Sequence, residues 1–328
     1  MFFFFILIFS TLISISSNSW FGCWIGLEIN LLSFIPLISK SINLLATEAS
    51  LKYFLTQSIA SINFLFFILL NMILFKSFEI DYYMSIMINS SMLMKMGSAP
   101  FHFWFPNIVE GLSWFNNFML MTWQKIAPMI ILSYYFYENF IIIIIMMNVI
   151  VGAIGGLNQT SLRKLMAFSS INNLSWMLFS IMITEDLWLF YLSIYSFMIS
   201  IMCFLFYMLN MFYINQLFIN NMNSLIKINL IINFLSLGGL PPFLGFFPKW
   251  IIINFLIMNK MFLLTFIMIM MSLIILFFYI RIIYSSFMFN YFKNKWIKIS
   301  MKNKNFLLIN IFSFFSLLGM ILSTFTYM

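Results

Sequence analysis

Apolar runs separated by short polar punctuation occupy almost the whole chain. Eleven such runs lie near residues 2–18, 20–38, 50–75, 82–105, 113–134, 139–157, 165–184, 186–211, 228–253, 255–286 and 305–326. A helix crosses a bilayer with about 20 apolar residues, so most of these runs are long enough to span one. No stretch between them is polar enough to be a linker or a soluble domain. The longest hydrophilic segment, residues 291–305, carries Lys293, Lys295, Lys298, Lys302 and Lys304 and reads as a solvated loop at a lipid surface. The pattern predicts an all-α polytopic membrane protein.

Composition narrows the class further. Of 328 residues 64% are hydrophobic and only 7% are charged, against about 25% charged in an ordinary soluble domain. The mean hydropathy is +1.06. So few charges cannot cover a globular surface, which excludes a water-soluble fold and also disorder. One histidine (His102) and two cysteines (Cys23 and Cys203) are too few for a di-haem cytochrome or a thiolate-held iron–sulfur cluster. The two cysteines read as buried apolar thiols. Abundant Phe and Met, with Val at three positions and Arg at two (Arg163 and Arg281), fit an A/T-rich genome and a code rich in Met codons. The start, Met1 to Phe5, resembles neither a secretory signal nor a transit peptide. Together these features point to a protein made inside a mitochondrion.

Loop charge predicts orientation. With eleven spans, Lys40, Arg163, Lys164, Lys227 and the five lysines of the last loop fall on the N-terminal side, with Glu48 and Glu110. The opposite side has Lys76 and Lys260 against Glu79, Asp81, Glu138, Glu185 and Asp186. Basic loops stay on the inner side, so the N-terminus is expected on the matrix side. The net charge of +8 then expresses topology, and nucleic-acid binding is not expected.

Two segments break the apolar pattern in the same way. Gly97-Ser98-Ala99-Pro100-Phe101-His102-Phe103-Trp104-Phe105-Pro106 and Gly239-Leu240-Pro241-Pro242-Phe243-Leu244-Gly245-Phe246-Phe247-Pro248 share Gly, Pro-Phe and Phe-Pro at an offset of 142. Thr47-Glu48 and Thr184-Glu185 form a weaker echo. Gly and Pro within a span free backbone groups that hydrocarbon cannot satisfy, so such breaks persist only inside protein or beside a wet cavity. Paired broken helices in two halves point to a transport pathway. Five helices separate the matching spans, so the second copy is expected to be inverted.

Four ionisable residues fall well inside spans: Glu28, Lys95, Lys125 and Lys249. A charge at the bilayer centre costs about 2.5–3.5 kcal/mol on insertion scales, and such residues mark ion or proton paths. Lysine suits a relay because desolvation loosens its proton and a nearby carboxylate holds it. A Glu28–Lys95 pair would then act as a switch that passes a proton on to Lys125. The bland alternative is that these residues are structural ion pairs or snorkel to an interface. His102, beside the first break, is a candidate bridge between proton wires or a hydrogen-bonded structural residue. Lys52 and Arg281 read as interfacial, and Glu48 and Lys52, at i,i+4 spacing, as a pair.

The motifs then become recognisable as a set. They are Gly26-Leu27-Glu28-Ile29-Asn30, Thr47 to Leu55, Ala99 to Trp104, Thr122-Trp123-Gln124-Lys125, Gly155 to Thr160 with Leu162-Arg163-Lys164 and Ala167 to Ile171, and Leu237 to Trp250. With them the chain resembles the chain 2 subunits of mitochondrial NADH:ubiquinone oxidoreductase (respiratory complex I), in an insect-like version. The resemblance implies an antiporter-like fold of about eleven transmembrane helices in two inverted five-helix repeats with two broken helices. The repeats would be residues 1–134, with a break near 97–100, and 135–286, with a break near 238–242. A basic matrix loop and C-terminal helix would follow at 287–328. The resemblance places Glu28, Lys95, Lys125 and Lys249 on a central hydrophilic axis of a proton-translocating membrane-arm subunit. FMN, iron–sulfur clusters and ubiquinone would belong to other subunits, with no cofactor in this chain. Its partners would be other membrane-arm subunits and the lipid bilayer, cardiolipin included, in the inner mitochondrial membrane. One departure is visible. Asn173 stands where relatives often carry His, and an amide cannot hold a proton at neutral pH, which leaves water or Lys164 to serve there. A stand-alone cation/proton antiporter and a purely structural spacer are the rival readings.

Overall fold

The computed structural model describes residues 2–39, 43–74, 82–219, 221–222, 224–288, 298–299, 303–317 and 319. Lys40, Lys76, Glu79, Asp81 and most of the basic loop predicted at 291–305 lie outside these, as does most of the last predicted span beyond Leu317.

The described chain is helical. The order is α1 (Phe2–Ser16), α2 (Trp20–Ile38), α3 (Leu44–Leu74), α4 (Tyr82–Met96), a 3-10 turn (Phe101–Phe103), α5 (Trp104–Gly111), α6 (Trp114–Met121), α7 (Trp123–Tyr134), α8 (Glu138–Gly156), α9 (Leu162–Ile183), α10 (Glu185–Leu209), α11 (Ile214–Ile219), α12 (Ser224–Gly238), α13 (Phe246–Met258), α14 (Phe262–Met288) and α15 (Asn303–Leu317). Two two-residue strands, β1 (Asn221–Met222) and β2 (Lys298–Ile299), pair in parallel, Asn221 with Lys298 and Met222 with Ile299. Among the described residues six helices are long and apolar enough to cross a membrane: Trp20–Ile38, Leu44–Ile73, Glu138–Gly156, Leu162–Ile183, Glu185–Leu209 and Phe262–Ser285. The chain is thus a multi-pass membrane protein.

Local chemistry sets the ends of several helices. The Ser19 hydroxyl caps α2 by accepting from the Gly22 N–H at 3.1 Å. Thr184 caps α10 through the Leu187 N–H at 3.3 Å, and Glu185 and Asp186 in its first turn suit the positive end of the helix dipole. Within the spans, Ser10, Ser91, Ser170 and Ser180 donate to carbonyls three residues back. A hydroxyl in hydrocarbon needs a partner, and the helix itself supplies one.

The run predicted at 113–134 is two helices. At Thr122 (φ −117°, ψ −71°) α6 stops and α7 begins, and Pro128 inside α7 removes a further backbone donor. This interruption lies three residues before Lys125. The chain forms two compact units, Met1–Asn148 and Val149–Met328. In the first, α1 packs on α2, α3 lies against α2, α4 and α5, and α4 packs on α7. In the second, α9 packs on α10 and α13, and α12 contacts α10, α14 and α15.

Candidate functional site

Both predicted breaks form, and they share one hydrogen-bonding scheme. At the first, Gly97 has φ +72°, its N–H donates to the Met94 carbonyl at 3.3 Å, and the Ser98 N–H reaches back to the Leu93 carbonyl at 3.1 Å. At the second, Gly239 has φ +81°, its N–H donates to the Leu235 and Ser236 carbonyls at 3.1 Å, and the Leu240 N–H reaches the Leu235 carbonyl at 3.3 Å. This is the Schellman ending, with glycine in the left-handed region that a Cβ would strain. The offset of 142 holds through the restart: α5 begins at Trp104 and α13 at Phe246, with Pro106 and Pro248 third in each helix, where a missing N–H costs little.

The backbone groups freed at the first break are satisfied by side chains. The Lys95 carbonyl accepts from Gln57 Nε2 at 3.0 Å. The Met94 carbonyl accepts from Trp104 Nε1 at 3.2 Å. The Ala99 N–H donates to Asn148 Oδ1 at 2.6 Å. At the second break a lysine does this work: Lys249 Nζ donates to the Gly238 carbonyl at 3.2 Å, a cation at the carbonyl end of α12.

Lys95 and Lys125 line one cavity in the first unit. It has a volume of about 20 Å³ and is also lined by Asn30, Gln57, Gln124 and Tyr53. That is room for one or two waters with several polar partners. Lys125 is 1% exposed and Lys95 7%, so neither snorkels. Gln124 Nε2 donates to Asn30 Oδ1 at 2.8 Å, tying α7 to α2 beside Lys125. The Lys125 ammonium sits 5.5 Å from the centroid of the Phe105 ring, which presents its negative face to the cation. Asn30, Tyr53 and Gln124 belong to the segments that carry the resemblance, although the sequence assigns them no role, whereas Gln57 lies outside those segments and its only signal is a polar side chain within a span.

Glu28 and His102 do not join this cavity. The Glu28 carboxylate accepts a short hydrogen bond from the Ser61 hydroxyl of α3. Glu28 and Lys95 make no direct ion pair. The reason is geometric: α3 supplies a hydroxyl where the switch would need the ammonium. His102 is half-buried and its ring lies 4.2 Å from that of Phe103. The predicted i,i+4 pair does form, Lys52 Nζ donating to Glu48 Oε1 at 2.6 Å, and Arg281 reaches the Leu157 carbonyl near its span end.

Lys249, 6% exposed, lines a cavity of about 20 Å³ in the second unit with Asn173, Tyr191, Tyr195, Ser236 and Pro248. Asn173, the departure noted in the sequence, therefore stands beside the lysine. Its Oδ1 accepts from the Tyr191 hydroxyl at 3.1 Å. The Lys249 ammonium is 6.0 Å from the Trp176 ring.

Broken membrane helices that hold buried lysines against small polar cavities define an antiporter-like membrane subunit. Comparison agrees with this class: a family model described as NADH:quinone oxidoreductase/Mrp antiporter, TM matches residues 17–275. The fold is shared with a chain of respiratory complex I from Thermus thermophilus with bound aureothin (TM-score 0.82, 18% identity, 97% of this chain and 77% of that one). It is also shared with a chain of the Mrp complex from Dietzia sp. (TM-score 0.83, 12% identity, 98% and 74%). In sequence, the chain is 51% identical over 328 residues to NADH-ubiquinone oxidoreductase chain 2 of Anopheles gambiae, covering 98% of this chain and 96% of that protein. The chain belongs to the NADH:quinone oxidoreductase/Mrp antiporter family and, within it, to the NADH-ubiquinone oxidoreductase chain 2 family.

Proposed function

We propose that this chain is a proton-translocating membrane-arm subunit of respiratory complex I. It would couple electron transfer from NADH to ubiquinone to proton pumping across the inner mitochondrial membrane. The observation that carries this reading is the repeated break, which in each unit leaves a buried lysine beside a small polar cavity. In the first unit the proton is held on Lys95 or Lys125 and moves between them through cavity water, with Gln57, Gln124 and Asn30 orienting it. Glu28 biases Lys95 by its field, set by the Ser61 hydroxyl bond. In the second unit Lys249 takes and releases a proton beside Tyr191 and Asn173. His102 serves the path from outside the first cavity.

The finer architecture belongs to the same proposal: about eleven spans, two inverted five-helix repeats, and an N-terminus on the matrix side. The chain would be encoded in the organelle. It would pack against other membrane-arm subunits and lipid, cardiolipin included, and would not bind nucleic acid. FMN, iron–sulfur clusters and ubiquinone would sit in other subunits. Its titratable lysines then respond to charge and hydration changes that begin elsewhere.

The test is Lys125→Met in the intact complex. The complex is to assemble on a native gel and keep its NADH dehydrogenase stain, while proton pumping is lost. Normal pumping would refute the relay. The fold shared with the Mrp chain keeps a stand-alone cation/proton antiporter in view. Recovery of the chain only as a small free species, away from the stained band, would favour that reading.

A further inference from the structure

The polar groups that line the Lys249 cavity with the lysine itself are Asn173, Tyr191, Tyr195 and Ser236, and among the described residues its lining includes no carboxylate. The Lys249 ammonium has three N–H donors and no acceptor. One donor reaches the Gly238 carbonyl at 3.2 Å, which leaves two that face other partners. A cavity water can accept from one of them, and that water then needs acceptors for its own hydrogens. Without a carboxylate, those acceptors must be neutral oxygens. Ser236 is one candidate, because its hydroxyl already donates to the Asn233 carbonyl at 2.8 Å and keeps its lone pairs for other donors.

Tyr191 is the second, and it is held from a neighbouring helix. Tyr191 on α10 is 3% exposed and Asn173 on α9 is 6% exposed, and the two helices pack together. The Tyr191 hydroxyl donates to Asn173 Oδ1 at 3.1 Å. A phenol has a single proton, so once it is committed to Asn173 the oxygen can only accept from the cavity. A hydroxyl without that bond could turn its proton toward the cation and its water. The amide oxygen takes up no proton at neutral pH, so the direction of the bond stays fixed. A neutral imidazole would offer one donor and one acceptor and would also titrate. The phenol and amide together offer the acceptor and keep no charge of their own.

We propose that Tyr191 is a positioning residue for proton transfer at Lys249: with its proton held on Asn173, its oxygen orients the cavity water that takes the proton from the ammonium. The proposal rests on Lys249 being a proton-carrying residue, as above. In the step, one N–H bond of the ammonium breaks while an O–H bond forms on the water. A neutral amine and a hydronium result, and the hydronium keeps its hydrogen bond to the Tyr191 oxygen. No electron moves, and neither Tyr191 nor Asn173 changes its protonation state.

The experiment compares Tyr191→Phe, Asn173→His, the two combined, and Lys249→Met in the intact complex in sealed inner-membrane vesicles. Two quantities are read, the amount of assembled complex and the proton flux per assembled complex. Flux is read at the alkaline end of the pH profile, where an imidazole is neutral. For Tyr191→Phe the flux is expected to fall about tenfold, short of the roughly 10²-fold of a group that itself carries the proton, with assembly kept. In the combined variant the imidazole presents its own acceptor, so flux should recover to within about twofold of Asn173→His alone, a coupling between the two sites. A phenol that only packs would cost the same in both backgrounds, and equal losses would overturn the proposal. Wild-type flux per complex in Tyr191→Phe, with flux lost in Lys249→Met, would also overturn it and leave the function standing. Wild-type flux in Lys249→Met would remove the basis of both. Should Tyr191→Phe fail to assemble, Asn173→Leu, which removes the acceptor and keeps the phenol, is expected to lower flux in the same way, and wild-type flux there would overturn the proposal.

Discussion

Gly239→Ala should damage the second break, whereas Gly238→Ala, one residue earlier, should not. At Gly239 the backbone has φ +81°, where a Cβ costs roughly 1–2 kcal/mol. The added methyl would also stand 2.8 Å from Lys249 Nζ and 3.1 Å from its Cδ. The ammonium must then leave the Gly238 carbonyl, and a hydrogen bond from a charged donor is worth about 1.5–3 kcal/mol. The two add to about 2.5–5 kcal/mol, a shift of roughly two to three and a half decades in the population of the intact break at roughly 1.4 kcal/mol per decade. At Gly238 the residue is helical and a Cβ would find its nearest atoms at 3.6 Å, ordinary contact. Alanine there is expected to be neutral or to stabilise by up to about 1 kcal/mol. The assay heats solubilised complex before a native gel and measures proton flux per surviving complex. Gly239→Ala should lower both the transition temperature and the flux, and Gly238→Ala neither. Indistinguishable behaviour of the two variants would refute the idea that left-handed geometry and the lysine contact hold this break together.

Asn148→Leu removes the acceptor of the Ala99 N–H at the first break, and should cost about 1–3 kcal/mol, read as a lower transition temperature in the same heating assay. Asn173→His places a titratable ring in the Lys249 cavity. An imidazole can take up a proton where an amide cannot, so the pH profile of proton flux should gain an inflection that the parent lacks, with flux falling on the acid side as a second cation faces Lys249. Single cysteines at positions 48 and 185 should be labelled by an impermeant thiol reagent from opposite membrane faces, and labelling from one face would refute the inverted repeat.

The membrane class, the two breaks and the burial of Lys95, Lys125 and Lys249 were legible because each is a local property. Hydropathy follows from composition, a Gly-Pro cluster cannot continue a helix, and a charge in an apolar run must be housed inside. The Glu48–Lys52 pair was legible for the same reason, since i,i+4 spacing alone brings the two together. Which partner each buried group finds was not legible. Glu28 meets Ser61 of α3 rather than Lys95, and His102 falls outside the cavity that Lys95 and Lys125 share. Nor was the interruption at Thr122 legible, because this single distorted turn contains no Gly and the nearby Pro128 lies inside α7.

The sequence by itself determined that this chain must be helical in lipid and where two of its helices must stop, because backbone groups in hydrocarbon can be satisfied only locally. The tertiary structure alone decided that Gln57, Asn148 and Lys249 close those stops and that Asn173 stands beside Lys249. Uncharged Asn, Gln and Ser can bond to their own helix or to a neighbour at similar cost. Only the packing of one helix against another chooses between them.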